Sequence, residues 1–257
     1  MRTLLIALLL TPLGALGQSG FTGTWRYETQ SAQVAEKDSY LLQNGVYRCS
    51  SCVPKIEVKA DGQDRKVADS PYFDAVSIKV VDDSSVEIVC KKAGKITRIQ
   101  KLNVLPGGKE LTVDWTFVAE NGQEGTAKVT STRVSSGPAG AHMISGTWQP
   151  EKVDSASGNV LTVSYKATDT ELSMTDQMGD SYTAKFDGRD YAYKGDPGIT
   201  SVSLKKIDAN TIVETDKHNG MVTTVLTMKL APDGKTMAVS IEDELENAAE
   251  KWTARKQ

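Results

Sequence analysis

The chain has 257 residues, of which 39% are hydrophobic, and its formal net charge at neutral pH is −3. Its 30 basic and 33 acidic side chains exclude the strongly basic balance with which proteins bind nucleic acid. The length fits one large domain or two domains of about 120 residues.

Residues 1–17 have the pattern of an export signal. Arg2 is followed by an apolar run, and Ala15-Leu16-Gly17 places small residues at the two positions that a signal peptidase reads. The run is shorter than the about 20 apolar residues that span a membrane. We therefore expect an exported protein without a membrane span, periplasmic or extracellular. The sequence has no Asn-x-Ser/Thr sequon, which favours the periplasm.

The remainder of the chain contains one stretch twice. Residues 55–113 align with residues 181–239 at a constant offset of 126, without a gap, and 16 of the 59 positions are identical. The shared residues include turn formers, such as Asp61-Gly62 and Asp187-Gly188. A repeated set of turns predicts a repeated hairpin architecture.

Each half has the pattern of short strands joined by hairpins. Val76, Ile78 and Val80 alternate with Ser77 and Lys79, which predicts a strand with one buried face and one wet face. Closely spaced turn signals without a convincing helical stretch are typical of an antiparallel meander. In the first half these signals are Asn44-Gly45, Asp61-Gly62, Ser70-Pro71, Asp82-Asp83-Ser84, Ala93-Gly94, Gly107-Gly108 and Asn121-Gly122.

A meander of eight or nine strands leaves two open edges unless it curls round on itself, and closure removes both edges. The sequence therefore predicts an all-β protein of two tandem antiparallel up-and-down barrels, of about eight strands each. The predicted units are the signal peptide at 1–17, a first barrel at 18–134, a linker at 135–143 and a second barrel at 144–257.

Both halves begin with the same tripeptide, Gly23-Thr24-Trp25 and Gly146-Thr147-Trp148, and both end with an arginine, Arg133 and Arg255, on the last predicted strand. In this the chain resembles the lipocalin, fatty-acid-binding and avidin-like group of barrels, the calycins. The resemblance implies that the arginine of each half packs on the indole at the closed end of its barrel. It also implies noncovalent binding of a small, largely apolar molecule.

Cys49-Ser50-Ser51-Cys52 is the sharpest local motif. An exported chain favours oxidation of such a pair. At the repeat offset the two cysteines align with Thr175 and Met178, inside a turn. We therefore predict a disulfide across a hairpin bend, where it closes a small loop and adds modest stability.

The alternatives for this motif are zinc binding and thiol redox chemistry. Zinc would need two further ligands, for which Cys90, His142 and His218 are available. A redox pair normally begins a helix, and none is predicted here. Cys90 itself aligns with Asp216 near a hairpin tip, so we expect a partly exposed free thiol. The sequence thus predicts neither a metal nor a cofactor.

Arg98 and Gln100 share the strand phase of apolar residues and are predicted to face a barrel interior. A charge there needs an anion, so the functional hypothesis is that Arg98, with Gln100, meets a ligand carboxylate or phosphate. The alternative is that Arg98 reaches the rim or pairs with a protein carboxylate. Tyr191 and Tyr193 share one face and are candidates for an aromatic pocket, or else belong to the core or rim.

The inventory for catalysis is poor, because the chain has two histidines and no nucleophile elbow, glycine-rich phosphate loop or metal-binding histidine pair. We do not expect an enzyme. The predicted function is noncovalent binding of a small apolar or amphipathic ligand. The alternative is a ligand-free structural or interaction module of the cell envelope, since an eight-stranded barrel is either filled by its own side chains or admits one small molecule.

Overall fold

The computed structural model describes residues 19–245 and 247–257. The predicted export signal at 1–17 lies outside these described residues. The described chain forms two antiparallel barrels, which confirms the predicted fold class. Each barrel has ten strands rather than about eight.

The strands follow one another in three groups along the chain. The first group precedes barrel 1 and consists of β1 (Gly23–Tyr27) and β2 (Gln33–Val34), with a 3-10 turn at Thr29–Ser31 between them. Barrel 1 comprises β3 (Asp38–Gln43), β4 (Val46–Cys49), β5 (Ile56–Lys59), β6 (Arg65–Lys66), β7 (Ala75–Val80), β8 (Ser85–Lys92), β9 (Lys95–Val104), β10 (Glu110–Val118), β11 (Glu124–Ser136) and β12 (Gly146–Ala156).

A four-residue helix, α1 (Gly158–Leu161), follows β12 and leads into the third group. The third group has nine strands, which form barrel 2 together with β1. They are β13 (Thr162–Ala167), β14 (Glu171–Asp176), β15 (Ser181–Lys185), β16 (Tyr191–Lys194), β17 (Ser201–Asp208), β18 (Thr211–His218), β19 (Met221–Leu230), β20 (Thr236–Asp243) and β21 (Ala248–Lys256).

The offset of 126 residues holds in three dimensions. Strands β8 and β9 of barrel 1 and strands β18 and β19 of barrel 2 begin and end at positions 126 apart. An isolated bridge joins Asp61 to Lys79 in barrel 1, and its counterpart joins Asp187 to Lys205 in barrel 2. Equivalent positions of the two barrels can therefore be compared directly.

The first strand of each half completes the barrel of the other half. β1 lies between β21 and β13, and β12 lies between β11 and β3. The expectation that residues 18–134 and 144–257 each close a barrel alone is therefore wrong. Barrel 1 is the continuous segment 38–156, and it is inserted between the first strand of barrel 2 and the rest of that barrel.

A short loop explains this exchange. Residues 137–145, most of the predicted linker, form a tight connection in which Gly137 N–H donates to the Ser145 carbonyl and His142 N–H donates to the Leu42 carbonyl. The loop thus delivers β12 directly to the edge of β11. Pairing sequence neighbours through a short connection costs less chain entropy than recruiting a strand from more than a hundred residues away.

The barrels have separate hydrophobic cores and differ in closure. In barrel 2 the ladder returns to its starting strand through the pairing of β1 with β21. In barrel 1, β5 and β6 are the two ends of the sheet order, so that barrel is nearly closed. None of the helices in the described residues is both long and apolar enough to cross a membrane.

We expect a fragment of residues 38–156 to unfold cooperatively, because it contains every strand of barrel 1. A fragment of residues 18–134 lacks β12, which leaves β3 and β11 as open edges, and we expect no cooperative transition. Circular dichroism during urea unfolding measures both. In the fragment of residues 38–156, Trp148→Ala should lower the free energy of unfolding by about 3–5 kcal/mol. Cooperative unfolding of 18–134 alone would contradict the exchanged topology.

Candidate ligand sites inside the two barrels

Both barrels are plugged at one end by a fully buried tryptophan, Trp25 in barrel 2 and Trp148 in barrel 1. Each indole Nε1 donates to a carbonyl four residues earlier, Phe21 and Ile144 respectively, at 2.8 Å. The hydrogen bond satisfies the polar atom of a large apolar ring, so the ring can be buried without leaving an unpaired donor.

The glycine that opens each tripeptide is required by the strand beside it. Gly23 and Gly146 have φ values of +140° and +136°, which L-residues with side chains rarely adopt. A Cβ on Gly146 would come within 2.2 Å of the Ser135 carbonyl oxygen, and one on Gly23 within 2.5 Å of the Lys256 side chain. The Gly-Thr-Trp repeat therefore marks a close approach of the first and last strands.

A cation covers each indole. The Arg133 guanidinium carbon lies 3.9 Å from the centroid of the Trp148 ring, and the same guanidinium donates to the carbonyls of Gly108, Met143 and Ser145. Arg133 thus joins the cation–π contact to three hydrogen bonds that fix the loops at the closed end of barrel 1. Its predicted partner was Trp25, and the exchange of first strands gives it Trp148 instead.

The cation on Trp25 is Lys256, which was not predicted, and Arg255 does not cover Trp148 as expected. Lys256 Nζ lies 5.4 Å from the Trp25 ring centroid and donates to the Gly20 carbonyl at 3.0 Å. The Arg255 side chain is exposed and pairs with Glu28. Because successive side chains of a strand point to opposite faces, an assignment displaced by one residue places the arginine on the wrong side of the wall.

The predicted disulfide is confirmed, and the prediction that Cys90 is partly exposed is wrong. Cys49 and Cys52 are joined by an S–S bond of 2.01 Å in the connection between β4 and β5. Cys90 is a free thiol, but it is buried, with 1% of its surface exposed. The β8–β9 hairpin turns at Ala93-Gly94, so Cys90 lies inside the strand, on its inward face.

Arg98 faces the interior of barrel 1, as predicted from its phase. In the register it lies between Cys90 of β8 and Phe117 of β10. Its guanidinium carbon is 5.6 Å from the centroid of Phe73 and 5.3 Å from that of Trp115. The Arg98 Nη2 donates to the Cys90 sulfur at 3.7 Å. A thiol sulfur is a weak acceptor.

The Arg98 charge is left uncompensated. Within residues 19–245 and 247–257 it forms no ion pair with a carboxylate, and its Nε is buried without a hydrogen-bond partner. Gln100 is the next inward residue of β9, between Ile88 and Trp115 in the register. Arg98 and Gln100 therefore lie side by side on the wall of barrel 1, away from the end that Trp148 closes.

The two tyrosines belong to barrel 2 and have different environments. The Tyr193 ring packs against the Tyr182 ring at a centroid distance of 5.8 Å and a tilt of 41°, and the Tyr193 hydroxyl donates to Asp180 at 3.5 Å. Tyr191 is half-buried, and its hydroxyl donates to the exposed Asp187 at 3.0 Å. The four predicted ligand residues are therefore not one site, because they are divided between two barrels.

Barrel 2 contains a pair of buried acids that was not predicted from the sequence. Glu214 and Asp216, on the inward face of β18, are 3% and 4% exposed. Tyr182 donates its hydroxyl proton to Glu214 Oε2 at 2.5 Å, whereas Asp216 Oδ1 is buried without a partner. The alternation of Ile212, Glu214 and Asp216 placed them on the apolar face, so the signal was present in the sequence.

Burial gives these acids unusual proton affinity. It raises the pKa of Glu214 to about 7. Burial, and then the neighbouring Glu214 carboxylate, raise the pKa of Asp216 to about 9. The pKa of Asp180 is also raised, to about 7, by burial and by the charges of Asp176 and Asp196. Such shifts occur where carboxyl groups lose water without gaining a cation.

No protein-family model, curated protein or solved structure matches the chain. The all-β double barrel is compatible with a calycin-like barrel. Among the described residues, no group of three or more His, Cys, Asp or Glu side chains is arranged to hold a metal ion.

Arg133→Leu should lower the free energy of unfolding by about 2–4 kcal/mol, because the guanidinium satisfies three carbonyls. Lys256→Leu should cost about 1 kcal/mol through its cation–π contact and one hydrogen bond. Arg255→Leu removes a surface ion pair and should cost less than about 1 kcal/mol. Urea unfolding followed by tryptophan fluorescence measures all three. An Arg255 effect larger than the Lys256 effect would reverse the assignment.

We expect stability to fall as the pH rises. In the unfolded chain Glu214 and Asp216 regain an ordinary pKa near 4, whereas their pKa values in the folded protein are about 7 and about 9. Between these values the folded state binds more protons, so the free energy of unfolding decreases with pH. Glu214→Gln with Asp216→Asn should reduce that loss between pH 5 and pH 8 by at least about 2 kcal/mol. Denaturant titrations at several pH values measure this change. An equal dependence of the unfolding free energy on pH in the wild-type protein and the double variant would refute the prediction.

Proposed function

We propose that the protein is an exported, lipocalin-like carrier that binds a small amphipathic anion in barrel 1, with the anionic group at Arg98. The observation that carries the proposal is the guanidinium itself. It faces the barrel interior between two aromatic rings, has a buried Nε without an acceptor, and lacks a carboxylate partner in the described chain.

The alternative that Arg98 pairs with a protein carboxylate has little support. Tyr40 and Tyr47 feel the charges of both Arg98 and the half-buried acid Asp38. Burial raises the pKa of Asp38, and a hydrogen bond from Tyr40 lowers it in part. Asp38 therefore has its own partner, and its charge is disfavoured. A ligand carboxylate or phosphate offers what the protein does not, an acceptor that matches the planar fork of the guanidinium.

The barrel does not need a cation at this position. At the repeat offset Arg98 corresponds to Thr224 in barrel 2, and Gln100 corresponds to Leu226. Barrel 2 has the same strands around these two residues and closes fully without the charge. Arg98 is half-buried, with a buried Nε that lacks an acceptor. Because such an unpaired polar atom is costly, its presence in barrel 1 favours a binding role over a structural one.

The surroundings of Arg98 suit the apolar part of such a ligand. Trp115 and Phe117 stack at 5.8 Å on the same strand, and Tyr40 stacks on Tyr47 at 6.2 Å. The Phe73 ring centroid lies 5.6 Å from the Arg98 guanidinium carbon. Aromatic walls around one charged group are typical of small-molecule sites, in which polar contacts orient a mainly apolar ligand.

Two ligands with the same ten-carbon chain test the proposal, decanoate and its neutral analogue decanol. We expect decanoate to bind at least tenfold more tightly than decanol, which corresponds to about 1.4 kcal/mol for one charge-assisted contact. Arg98→Leu should remove this difference, and Arg98→Lys should retain part of it because the charge remains. Isothermal titration calorimetry measures the affinities.

The matched control is Arg189→Leu, which removes an arginine that is 85% exposed and changes the net charge by the same amount. It should leave decanoate binding unchanged. Unaltered decanoate binding and stability in Arg98→Leu would rule out the anion site. Native mass spectrometry of protein from its own host then separates a carrier, which retains a ligand, from a ligand-free module of the cell envelope, which has the bare mass.

A further inference from the structure

The interior of barrel 2 has the opposite electrostatic character from that of barrel 1. We infer that barrel 2 is a second binding site, for a small organic amine whose ammonium group is held by Glu214 and Asp216. This inference goes beyond the proposed function, because it concerns a different barrel and a ligand of opposite charge.

The duplicated fold provides an internal comparison. At the repeat offset Glu214 corresponds to Ile88 and Asp216 to Cys90, all four on the inward face and 4% exposed or less. Barrel 1 therefore builds the same hairpin with an apolar pair. Two adjacent buried carboxyl groups lower stability relative to such a pair. The hydrogen bond that Glu214 and Asp216 share relieves part of this cost while one of them holds a proton. Because the fold forms equally well with Ile88 and Cys90 at these positions, the two carboxyl groups point to a binding role.

No protein cation neutralises the pair. Across the described residues neither Glu214 nor Asp216 takes part in an ion pair. Lys217, the adjacent residue on β18, points to the other face and binds Asp190 at 2.5 Å. Asp216 Oδ1 remains a buried acceptor without a donor. An ammonium group has three N–H donors and a positive charge, so it supplies both missing elements.

Aromatic rings surround the carboxylates and favour an organic cation. Burial raises the pKa of four tyrosines, and the Glu214 charge raises each of them further, which places all four close to that carboxylate. Tyrosine faces attract ammonium groups, and the surrounding side chains suit an apolar body. The tyrosines are Tyr27 on β1, Tyr165 on β13, Tyr182 on β15 and Tyr193 on β16.

Proton release should accompany amine binding. The free pair holds protons near neutral pH, and a bound ammonium replaces them, so that each displaced proton passes to solvent as the carboxylate becomes charged. The other titratable groups beside the pair are also acidic or phenolic. They are Asp180 before β15 and Asp196 after β16, whose charges raise the pKa of Asp216, and the four tyrosines. Asp176 acts on Asp180 and Asp196, and His218 acts on Asp196.

The test compares 2-phenylethylamine with its neutral analogue 2-phenylethanol, using the full exported chain and isothermal titration calorimetry. At pH 8 we expect the amine to bind at least tenfold more tightly than the alcohol. Its affinity should be at least tenfold lower at pH 6, where the pair is protonated. Titrations in buffers of different ionisation enthalpy should show release of about one proton.

Glu214→Gln with Asp216→Asn is the variant that tests the site. It removes the buried charges while it keeps the shapes, so it should fold, and its unfolding transition verifies this. It should lose amine binding at least tenfold and retain decanoate binding at Arg98. Glu120→Gln with Asp169→Asn removes two exposed carboxylates and serves as the charge-matched control, with no change expected.

Three results would overturn the inference. These are no amine binding at pH 8 to the wild-type protein, equal binding of the amine and the alcohol, or undiminished amine binding in the folded double variant. Each is independent of the outcome at Arg98, so the two barrel sites can fail separately.

Discussion

The buried tryptophan at the closed end of each barrel is the contact on which the architecture depends. Its indole satisfies a carbonyl four residues earlier and carries a cation from the last strand, Arg133 on Trp148 and Lys256 on Trp25. Trp25 lies on the first strand of the first half but closes barrel 2, and Trp148 lies on the first strand of the second half but closes barrel 1. Neither half can therefore close a barrel alone. The exchange of first strands links the two repeats structurally, whereas a simple tandem of two barrels would leave each repeat independent.

The duplication separates the requirements of the barrel from those of its contents. The bounds of β8 and β9 and the isolated bridge of barrel 1 coincide with those of β18 and β19 and the bridge of barrel 2 at the offset of 126 residues. The inward side chains of these same strands differ between the barrels. Barrel 1 combines an arginine with a thiol, and barrel 2 combines two carboxyls with four tyrosines. The fold is the same with either set, so the difference reflects what each interior contacts.

Both interiors carry charge without a protein counter-ion, but the consequences differ. A guanidinium remains charged when it is buried, so barrel 1 keeps a permanent demand for an anion. Carboxyl groups can take up protons instead, and burial raises the pKa values of Glu214 and Asp216 into the neutral and alkaline range. Barrel 2 therefore has a demand for a cation that depends on pH.

Much of this protein could be predicted from its sequence. Two-residue alternation and repeated turns determine an all-β double barrel, because they describe local geometry, and the phase of Arg98 places it inside. The spacing of Cys49 and Cys52 likewise indicates the disulfide. The same two-residue alternation places Glu214 and Asp216 on the inward face of β18, together with Ile212.

Tertiary structure alone decided which strand closes which barrel and which cation covers which indole. Two equivalent Gly-Thr-Trp strands have the same local sequence, so no local pattern distinguishes their destinations. The choice depends on the length of the loop at 137–145 and on the register of β21, where a shift of one residue exchanges Arg255 for Lys256. Chain connectivity and pairing register are long-range properties, and composition and periodicity do not encode them.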